Sequence, residues 1–285
     1  MSAAGRAAQD EGNHELAVLA YRAAFEVDPV AYTLGYSSAL RRVEQSPKAE
    51  AILIDSLETH LSADQRTTWW RALGDLYRNQ GDWQNAEIAY RAALREDSTD
   101  QAAWVRLGWL IYDESGEAEA AMEYFNEAIR VEPESGMGYY AVGRLLVREE
   151  QPEQALGWYQ KASENEPQSL NNLLVYANLL RDTGQFELAF IEYEKAIKGW
   201  PDSWYPYYHV SWAYLLNGQP DQAFHAIEKT IELNPDNVGT HLRAGEIYEA
   251  FGEVDLALAA YQAVLDINAN NTAALRAIER LSGGD

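Results

Sequence analysis

The chain has 285 residues, 47% of them hydrophobic and 24% charged, which is the composition of a folded protein with a substantial core. Asp and Glu together number 45 against 22 Lys and Arg, and the formal net charge of -23 leaves no excess of cations for a phosphate backbone, so nucleic acid is not an expected partner. The absence of cysteine excludes disulfides, thiolate nucleophiles and Cys-ligated zinc.

Two kinds of apolar segment are missing from the sequence. No run of eighteen apolar residues occurs, so direct membrane insertion is not expected. Residues 1–15 contain no apolar stretch long enough for a signal peptide. The expected location is therefore the cytoplasm, with a periplasmic or membrane-associated location as the alternative if the chain is part of a longer protein.

An interval of 34 residues recurs along the chain. Prolines follow one another at this spacing at Pro133, Pro167, Pro201 and Pro235. Alanines keep the same spacing at Ala121, Ala155, Ala189, Ala223 and Ala257. A fixed period of this length indicates a repeat architecture, in which each unit stacks on its neighbours.

One period, residues 67–98, shows how the unit is expected to fold. It reads TTWWRALGDLYRNQGDWQNAEIAYRAALREDS, with apolar residues at three- and four-residue spacing on both sides of NQGD. Gly81 is expected to end one helix, and Asp82 to begin the next. Gly74 leaves room for the two helices to approach, and Tyr90 fills the space around it. Each unit is thus predicted to be a helix pair.

These positions resemble a known family pattern. The residues that carry the resemblance are Trp70, Leu73, Gly74, Tyr77, Ala86, Tyr90 and Ala93. Together with the period they are similar to the tetratricopeptide repeat (TPR). The resemblance implies an all-α fold, a right-handed TPR superhelical solenoid with about eight two-helix repeats plus a C-terminal capping helix.

In chain order, the resemblance divides the sequence as a single TPR solenoid. Residues 1–31 are a partial first repeat, marked by Ala17, Tyr21, Ala24 and Pro29. Residues 32–66 are a degenerate repeat that has lost the Gly and Tyr positions. Six clear repeats fill 67–271, at 67–100, 101–135, 136–169, 170–203, 204–237 and 238–271.

Residues 272–285 are predicted to form a capping helix and tail, with Leu275, Ile278 and Leu281 on one side. The first helix, which is short and rich in alanine, has no such cap before it. This difference between the two ends favours the hypothesis that the chain is a fragment of a larger protein.

No residues stand out as a reactive or metal-binding group. The histidines are His14, His60, His209, His225 and His241, and none has ligand spacing such as HxxxH. Acidic pairs are too common in this chain for one to be assigned as a general acid and base. No catalytic residue, cofactor or metal site is predicted, and the chain is not expected to be an enzyme.

The TPR resemblance also implies a candidate binding surface. In that family the first helix of each pair lines the concave face, through the second, fifth, ninth and twelfth positions of the repeat. Val105 and Leu174 occupy such positions, and Arg148 lies one residue away from one. The candidate partner-binding residues are Arg71, Asp75, Arg78, Trp109, Tyr112, Tyr140, Arg144, Arg148, Asn178, Arg181, Tyr205, Tyr208 and Trp212.

The segment GWPDSWYPYYHVSWAY, residues 199–214, is the most aromatic part of the chain. Its packing positions are expected to be Tyr207, Val210, Ser211 and Tyr214. Tyr205, Tyr208 and Trp212 follow a separate stripe aimed into the groove, and Trp200 and Trp204 are expected to pack at the junction between repeats. The alternative is that the rings fill a narrow interior and contact one another.

Aromatic side chains beside arginines are typical of binding hot spots. The sequence therefore predicts a non-enzymatic scaffold that binds an extended or helical peptide in its concave groove. The partner is expected to be a protein or a peptide. The alternative is the TPR portion of a larger membrane or envelope assembly for glycan polymerisation or export, contacting carbohydrate. A third expectation is homo-oligomerisation through the exposed repeat ends.

Two known TPR ligand patterns do not fit. Tyr140 and Leu174 stand where the carboxylate clamp of co-chaperone TPR domains has Lys, although Asn178 matches one clamp position. The asparagine ladder of the nucleocytoplasmic O-GlcNAc transferase is also missing. The equivalent positions hold Arg106, Ala141, Val175, His209 and Arg243.

Overall fold

The computed structural model of the chain describes residues 2–10, 12–59 and 61–283. In these residues the backbone forms seventeen α-helices and no strand, as the repeat pattern predicts. His60, Met1 and the last two residues of the predicted tail, 284–285, lie outside the described residues. The chain divides into two compact units between Leu145 and Leu146.

The first unit contains four helix pairs and most of a further helix. Their bounds are α1 Ser2–Asp10, α2 His14–Phe25, α3 Pro29–Arg42, α4 Ser46–Leu57, α5 Ala63–Gln80, α6 Trp83–Glu96, α7 Gln101–Ser115, α8 Ala118–Val131 and α9 Gly136–Arg148. The boundary between the units falls inside α9.

The second unit continues with three more pairs after α10 and ends on a single helix. The bounds are α10 Pro152–Asn165, α11 Leu170–Asp182, α12 Phe186–Gly199, α13 Trp204–Leu216, α14 Pro220–Leu233, α15 Val238–Ala250, α16 Val254–Ile267 and α17 Thr272–Ser282. The extensive contacts are those between the members of a pair, such as α13 with α14 and α15 with α16.

The turn inside the period follows the prediction. Helix α5 ends at Gln80, and Gly81 follows with a left-handed φ of 77°, which a residue without a Cβ adopts at no steric cost. The side chain of Asp82 accepts a hydrogen bond from the backbone N–H of Asn85 and so caps α6.

The start of α5 lies four residues before the predicted repeat boundary at 67. Ser62 Oγ accepts a hydrogen bond from the backbone N–H of Gln65, at 3.3 Å, while Gln65 Oε1 accepts one from the backbone N–H of Ser62, at 2.9 Å. This reciprocal capping box fixes the helix start at Ala63. The Ser-x-x-Gln spacing that forms it is visible in the sequence.

Glycine on the first helix and an aromatic ring on the second set the distance within a pair. A Cβ on Gly74 would lie 2.4 Å from the ring of Tyr90, and one on Gly245 would lie 2.4 Å from the ring of Tyr261. Tyr90 is fully buried and Tyr261 is 3% exposed. The ring therefore occupies the volume that a side chain at the glycine would need.

The degenerate repeat also has a glycine against a tyrosine ring, but here the ring belongs to the preceding repeat. Gly35 of α3 would place a Cβ 2.4 Å from the ring of Tyr21, which belongs to the preceding helix α2, and Gly5 of α1 approaches the same ring. Tyr21 thus lies between two glycines, one on each neighbouring helix. This contact joins the predicted partial repeat to the degenerate one.

The capping helix α17 packs against α16 with two of the three residues expected. Ala274 and Ala277 are buried, and Ile278 and Leu281 pack against the core beside them. Leu275 is 46% exposed, so its assignment to the inner side was wrong. The positions 274, 277, 278 and 281 follow the helical period, and residue 275 falls outside that stripe.

The glycine–ring contact makes a prediction for stability. Gly245→Ala should lower the urea midpoint, because the new methyl group meets a ring that cannot move aside, and overpacking of this kind costs about 1–3 kcal/mol. Gly157→Ala is the matched control. Gly157 lies exposed inside α10, and no atom lies within 4 Å of the place that its Cβ would occupy, so alanine should stabilise that helix by about 0.5–1 kcal/mol.

Urea unfolding followed by circular dichroism at 222 nm measures both variants. Equal midpoints for Gly245→Ala and the wild type would contradict the close-contact explanation of the helix pair.

Candidate binding surfaces

The first helices of the pairs in the first unit line a common cavity of about 430 Å³. Helices α3, α5, α7 and α9 all contribute to it, and no second helix does. The lining residues are Arg41, Asp75, Arg78, Asn79, Val105, Arg106, Trp109, Met137, Tyr140, Ala141 and Arg144. Five of the predicted site residues, from three different repeats, are therefore brought together.

Asp75 lies at the centre of a polar network in this cavity. Tyr90, whose ring is buried against Gly74, donates its hydroxyl to Asp75 Oδ1 at 2.7 Å. Arg106 donates from Nε to the same carboxylate at 2.9 Å. Burial, followed by the Asp75 charge, raises the pKa of Tyr90 above its usual range, so the hydroxyl remains a donor at neutral pH.

Trp109 and Arg144 line the cavity together, with the guanidinium group over the indole ring. Trp109 is 8% exposed, and its ring packs against Phe125 with the centroids 5.1 Å apart. The guanidinium carbon of Arg144 lies 4.8 Å from the centroid of the Trp109 ring, within cation–π range. Arg144 itself is exposed. The ring therefore holds the cation at the surface.

A smaller cavity of about 230 Å³ adjoins the first and shares Arg41, Asp75 and Arg106 with it. Arg71 lines it and lies 3.0 Å from Asp100, measured from Nε to Oδ2. Burial raises the pKa of Asp100, and the charge of Arg71 opposes that rise. Arg71, a predicted site residue, thus forms an ion pair with Asp100 of the same protein.

In the second unit, Asn178 and Arg181 of α11 form one polar cluster. Asn178 Oδ1 accepts a hydrogen bond from the hydroxyl of Tyr193, at 2.7 Å, and another from Arg181 Nη1, at 3.0 Å. Arg181 also donates to Asp182 at 2.8 Å. Tyr193 is fully buried, so its hydroxyl reaches from the core to hold the surface amide in place.

The aromatic residues of α13 form a second cluster. Tyr208 lies edge-on to Trp204, with centroids 5.8 Å apart, and to His209 at 5.5 Å. Tyr205 lies edge-on to Trp204 at 5.0 Å and is 44% exposed. Trp204 therefore belongs to the cluster of its own helix rather than packing only at the junction between repeats.

Arg243 of α15 joins this cluster from the next pair. Its guanidinium carbon lies 3.9 Å from the centroid of the Trp212 ring and 5.0 Å from that of Tyr208. Its Nη2 donates to the hydroxyl of Tyr208 at 3.1 Å. Tyr208 and Trp212 do contact their own neighbours, as the alternative interpretation expects, yet both remain partly exposed.

Some predicted residues lie apart from these surfaces. Arg148 is exposed and belongs to the second unit, and it does not line the cavity that contains Arg144. Tyr112 contacts Trp109 edge-on at 6.0 Å without lining that cavity. Leu174, at a groove position of the repeat, is 3% exposed and packs in the core.

Sequence reasoning missed Arg41, and it named Arg106, His209 and Arg243 only as positions where an asparagine ladder is absent. The last three all stand at the sixth position of their repeats, and all three contact predicted site residues. The sequence signal is a basic or aromatic residue at the sixth position, which occurs in three of the six clear repeats.

In the described part of the chain, no group of three or more His, Asp and Glu side chains is arranged to hold a metal ion. No helix within the same residues is both long and apolar enough to cross a membrane.

The position of His209 predicts a pH effect on stability. The pKa of His209 is lowered from 6.5 to about 4, mainly by burial and also by the nearby charges of Arg181 and Arg243, which the charge of Asp182 opposes. Between these two pH values the unfolded chain binds a proton that the folded chain does not, so stability falls as the pH is lowered from 6.5 toward 4. His209→Gln should reduce that fall by about 2–3 kcal/mol.

The measurement is urea unfolding of wild type and variant from pH 7 to pH 4. The difference between the two proteins isolates His209 from the many carboxylates that titrate in both. Parallel stability profiles for the two would show that His209 titrates normally in the folded chain.

Comparison with known proteins places this architecture in a family. Residues 2–30, 31–200 and 214–281 match the tetratricopeptide repeat. Over 134 residues, 45% of this chain, the sequence is 34% identical to the general transcriptional corepressor ssn6 of Schizosaccharomyces pombe (strain 972 / ATCC 24843), and the match spans 12% of that protein's length.

Two solved structures share the fold. The type IV pilus biogenesis factor PilW is 19% identical, with a TM-score of 0.61 over 74% of this chain and 97% of that one. A tetratricopeptide repeat protein from Parabacteroides merdae ATCC 43184 is 20% identical, with a TM-score of 0.55 over 89% of this chain and 98% of that one. With the three family matches covering most of its length, the chain belongs to the tetratricopeptide repeat family.

Proposed function

We propose that the chain is a non-enzymatic scaffold that binds an extended or helical peptide segment of a partner protein on the first helices of its pairs. Stacked helix pairs are a protein-interaction fold, and the repeats of this family serve that role. The similarity to a general transcriptional corepressor supports an interaction role.

The observation that carries the proposal is the stacking of Arg243 on Tyr208 and Trp212. These three side chains come from two successive pairs and lie together at a partly exposed surface. Aromatic and arginine side chains in such a cluster are typical of residues that dominate binding energy. Burying one of these rings against a partner contributes about 1.5–3 kcal/mol.

The contacts among the rings support binding rather than oppose it. Edge-on packing of Tyr205, Tyr208 and Trp204 fixes each ring in one orientation. A surface whose side chains are already ordered loses less conformational entropy when a partner binds, so more of the contact energy appears as affinity. The exposed part of Tyr205 remains available to that partner.

Truncation of the two stacked rings tests the proposal. A library of random peptides displayed on phage is selected on the wild type in the presence of excess Tyr208→Ala/Trp212→Ala protein. The enriched peptides should bind the double variant at least tenfold more weakly, because two rings and the stacking of Arg243 are lost. Ile191→Ala, which truncates a side chain 50% exposed on the second helix α12, is the control and should bind them normally.

Circular dichroism confirms that the double variant keeps its helices, and light scattering at several concentrations reports any self-association through the repeat ends. Peptides that bind the wild type and the double variant equally would contradict the proposed surface. Saturable quenching of Trp fluorescence by an oligosaccharide, with no peptide enriched, would instead support the glycan-assembly alternative.

A further inference from the structure

We infer that the larger cavity of the first unit recognises the carboxylates of an acidic segment in the partner peptide. The inference rests on the proposed function and specifies the chemistry of the ligand that the first unit binds. Four arginines line the cavity, namely Arg41, Arg78, Arg106 and Arg144. A single carboxylate, that of Asp75, lines it with them.

The one carboxylate is already engaged. Asp75 accepts hydrogen bonds from Arg106 and from the hydroxyl of Tyr90. Among the described residues, no ion pair joins Arg41, Arg78 or Arg144 to a carboxylate, and Asp75 is the only acid in the lining. Three guanidinium groups therefore line one cavity without forming an ion pair among the described residues.

The charge of the cavity lining is opposite to that of the chain, with four arginines against one aspartate. With 45 acidic residues against 22 basic ones, an arginine has many possible partners. Two arginines on second helices, outside the cavity, do form ion pairs: Arg91 lies 2.7 Å from Glu87, and Arg130 lies 2.7 Å from Glu127. With four arginines and one aspartate the lining carries a net positive charge, which is the arrangement expected of a site for an external anion.

The geometry fits a carboxylate beside an apolar side chain. A guanidinium group offers two parallel N–H donors that match the two oxygens of a carboxylate. Stacking on Trp109 covers one face of Arg144 and leaves its N–H edge for a ligand. Tyr140 and Met137, which is 42% exposed, add an apolar wall next to these donors.

The net charge of the protein does not prevent such binding at physiological salt. At about 0.15 M ionic strength charges are screened beyond about 8 Å. The arginines of the cavity then govern the interaction, while the acidic residues elsewhere contribute little. The test is therefore made at that ionic strength.

The experiment uses a fluorescein-labelled peptide that alternates pairs of glutamate with leucine, and fluorescence anisotropy as the readout. The matched probe carries glutamine at every glutamate position. The wild type should bind the acidic peptide at least tenfold more tightly than the neutral one. Arg78→Gln/Arg144→Gln should lose that preference and bind both peptides equally.

Arg91→Gln/Arg130→Gln is the matched control, because it removes the same charge from outside the cavity. It should keep the preference. The urea midpoint gives a second readout: Arg78→Gln/Arg144→Gln should unfold close to the wild-type midpoint, since the relief of repulsion between like charges offsets the loss of the Arg144–Trp109 contact. A clearly lower midpoint would assign these arginines a structural role and overturn the inference.

Further outcomes overturn the inference as well. These are equal binding of acidic and neutral peptides by the wild type, no binding of the acidic peptide, or equal losses in the cavity variant and the control. Library peptides that need Tyr208 and Trp212 but do not need Arg78 and Arg144 would leave the scaffold function standing while this inference fails.

Discussion

A buried tyrosine on the second helix of a pair connects the core of this protein to its surface. The ring of Tyr90 fills the space left by Gly74, and its hydroxyl holds Asp75. Tyr193 holds Asn178 through its hydroxyl in the same way, and Tyr261 holds Glu249 at 3.1 Å. One side chain thus sets the helix spacing and also orients a polar group on the first helix. The arginines that complete these networks depend on that orientation.

In repeats where the position of Tyr90 holds a residue without a hydroxyl, a different side chain stands on the first helix. The position of Tyr90 is taken by Phe125 in the next repeat, and there the ninth position is Trp109, whose ring packs on Phe125. In residues 204–237 the corresponding pair of positions holds Ile227 and Trp212. A tyrosine at the core position of the second helix therefore has a polar partner on the first helix. Where that core position holds Phe125 or Ile227, the first helix has a tryptophan at the ninth position. The two tryptophans so placed are the ones on which Arg144 and Arg243 stack.

The sequence predicts the helix pairs well because they depend on local patterns. Gly81 and Asp82 mark a helix end and a helix start by their own backbone preferences, and both act as expected. The contacts of the site could not be predicted in the same way. Arg106 reaches Asp75 across 31 residues of sequence and Arg243 reaches Tyr208 across 35, so each partner depends on how one pair stacks on the next. The exposure of Leu275 could not be predicted for the same reason. The packing of α17 on α16 buries Ala274 and Ala277 and leaves Leu275 exposed.

The most direct test of this account is to observe which side chains respond when a ligand binds. Protein labelled with ¹⁵N is titrated with an acidic peptide while NMR follows the arginine Nε–Hε groups and the tryptophan indole N–H groups, assigned by substitution. The account predicts shifts at Arg78, Arg144 and Trp109, with Arg91 and Arg130 unchanged. Shifts confined to side chains on the second helices would contradict it, because the ligand would then bind away from the surface formed by the first helices.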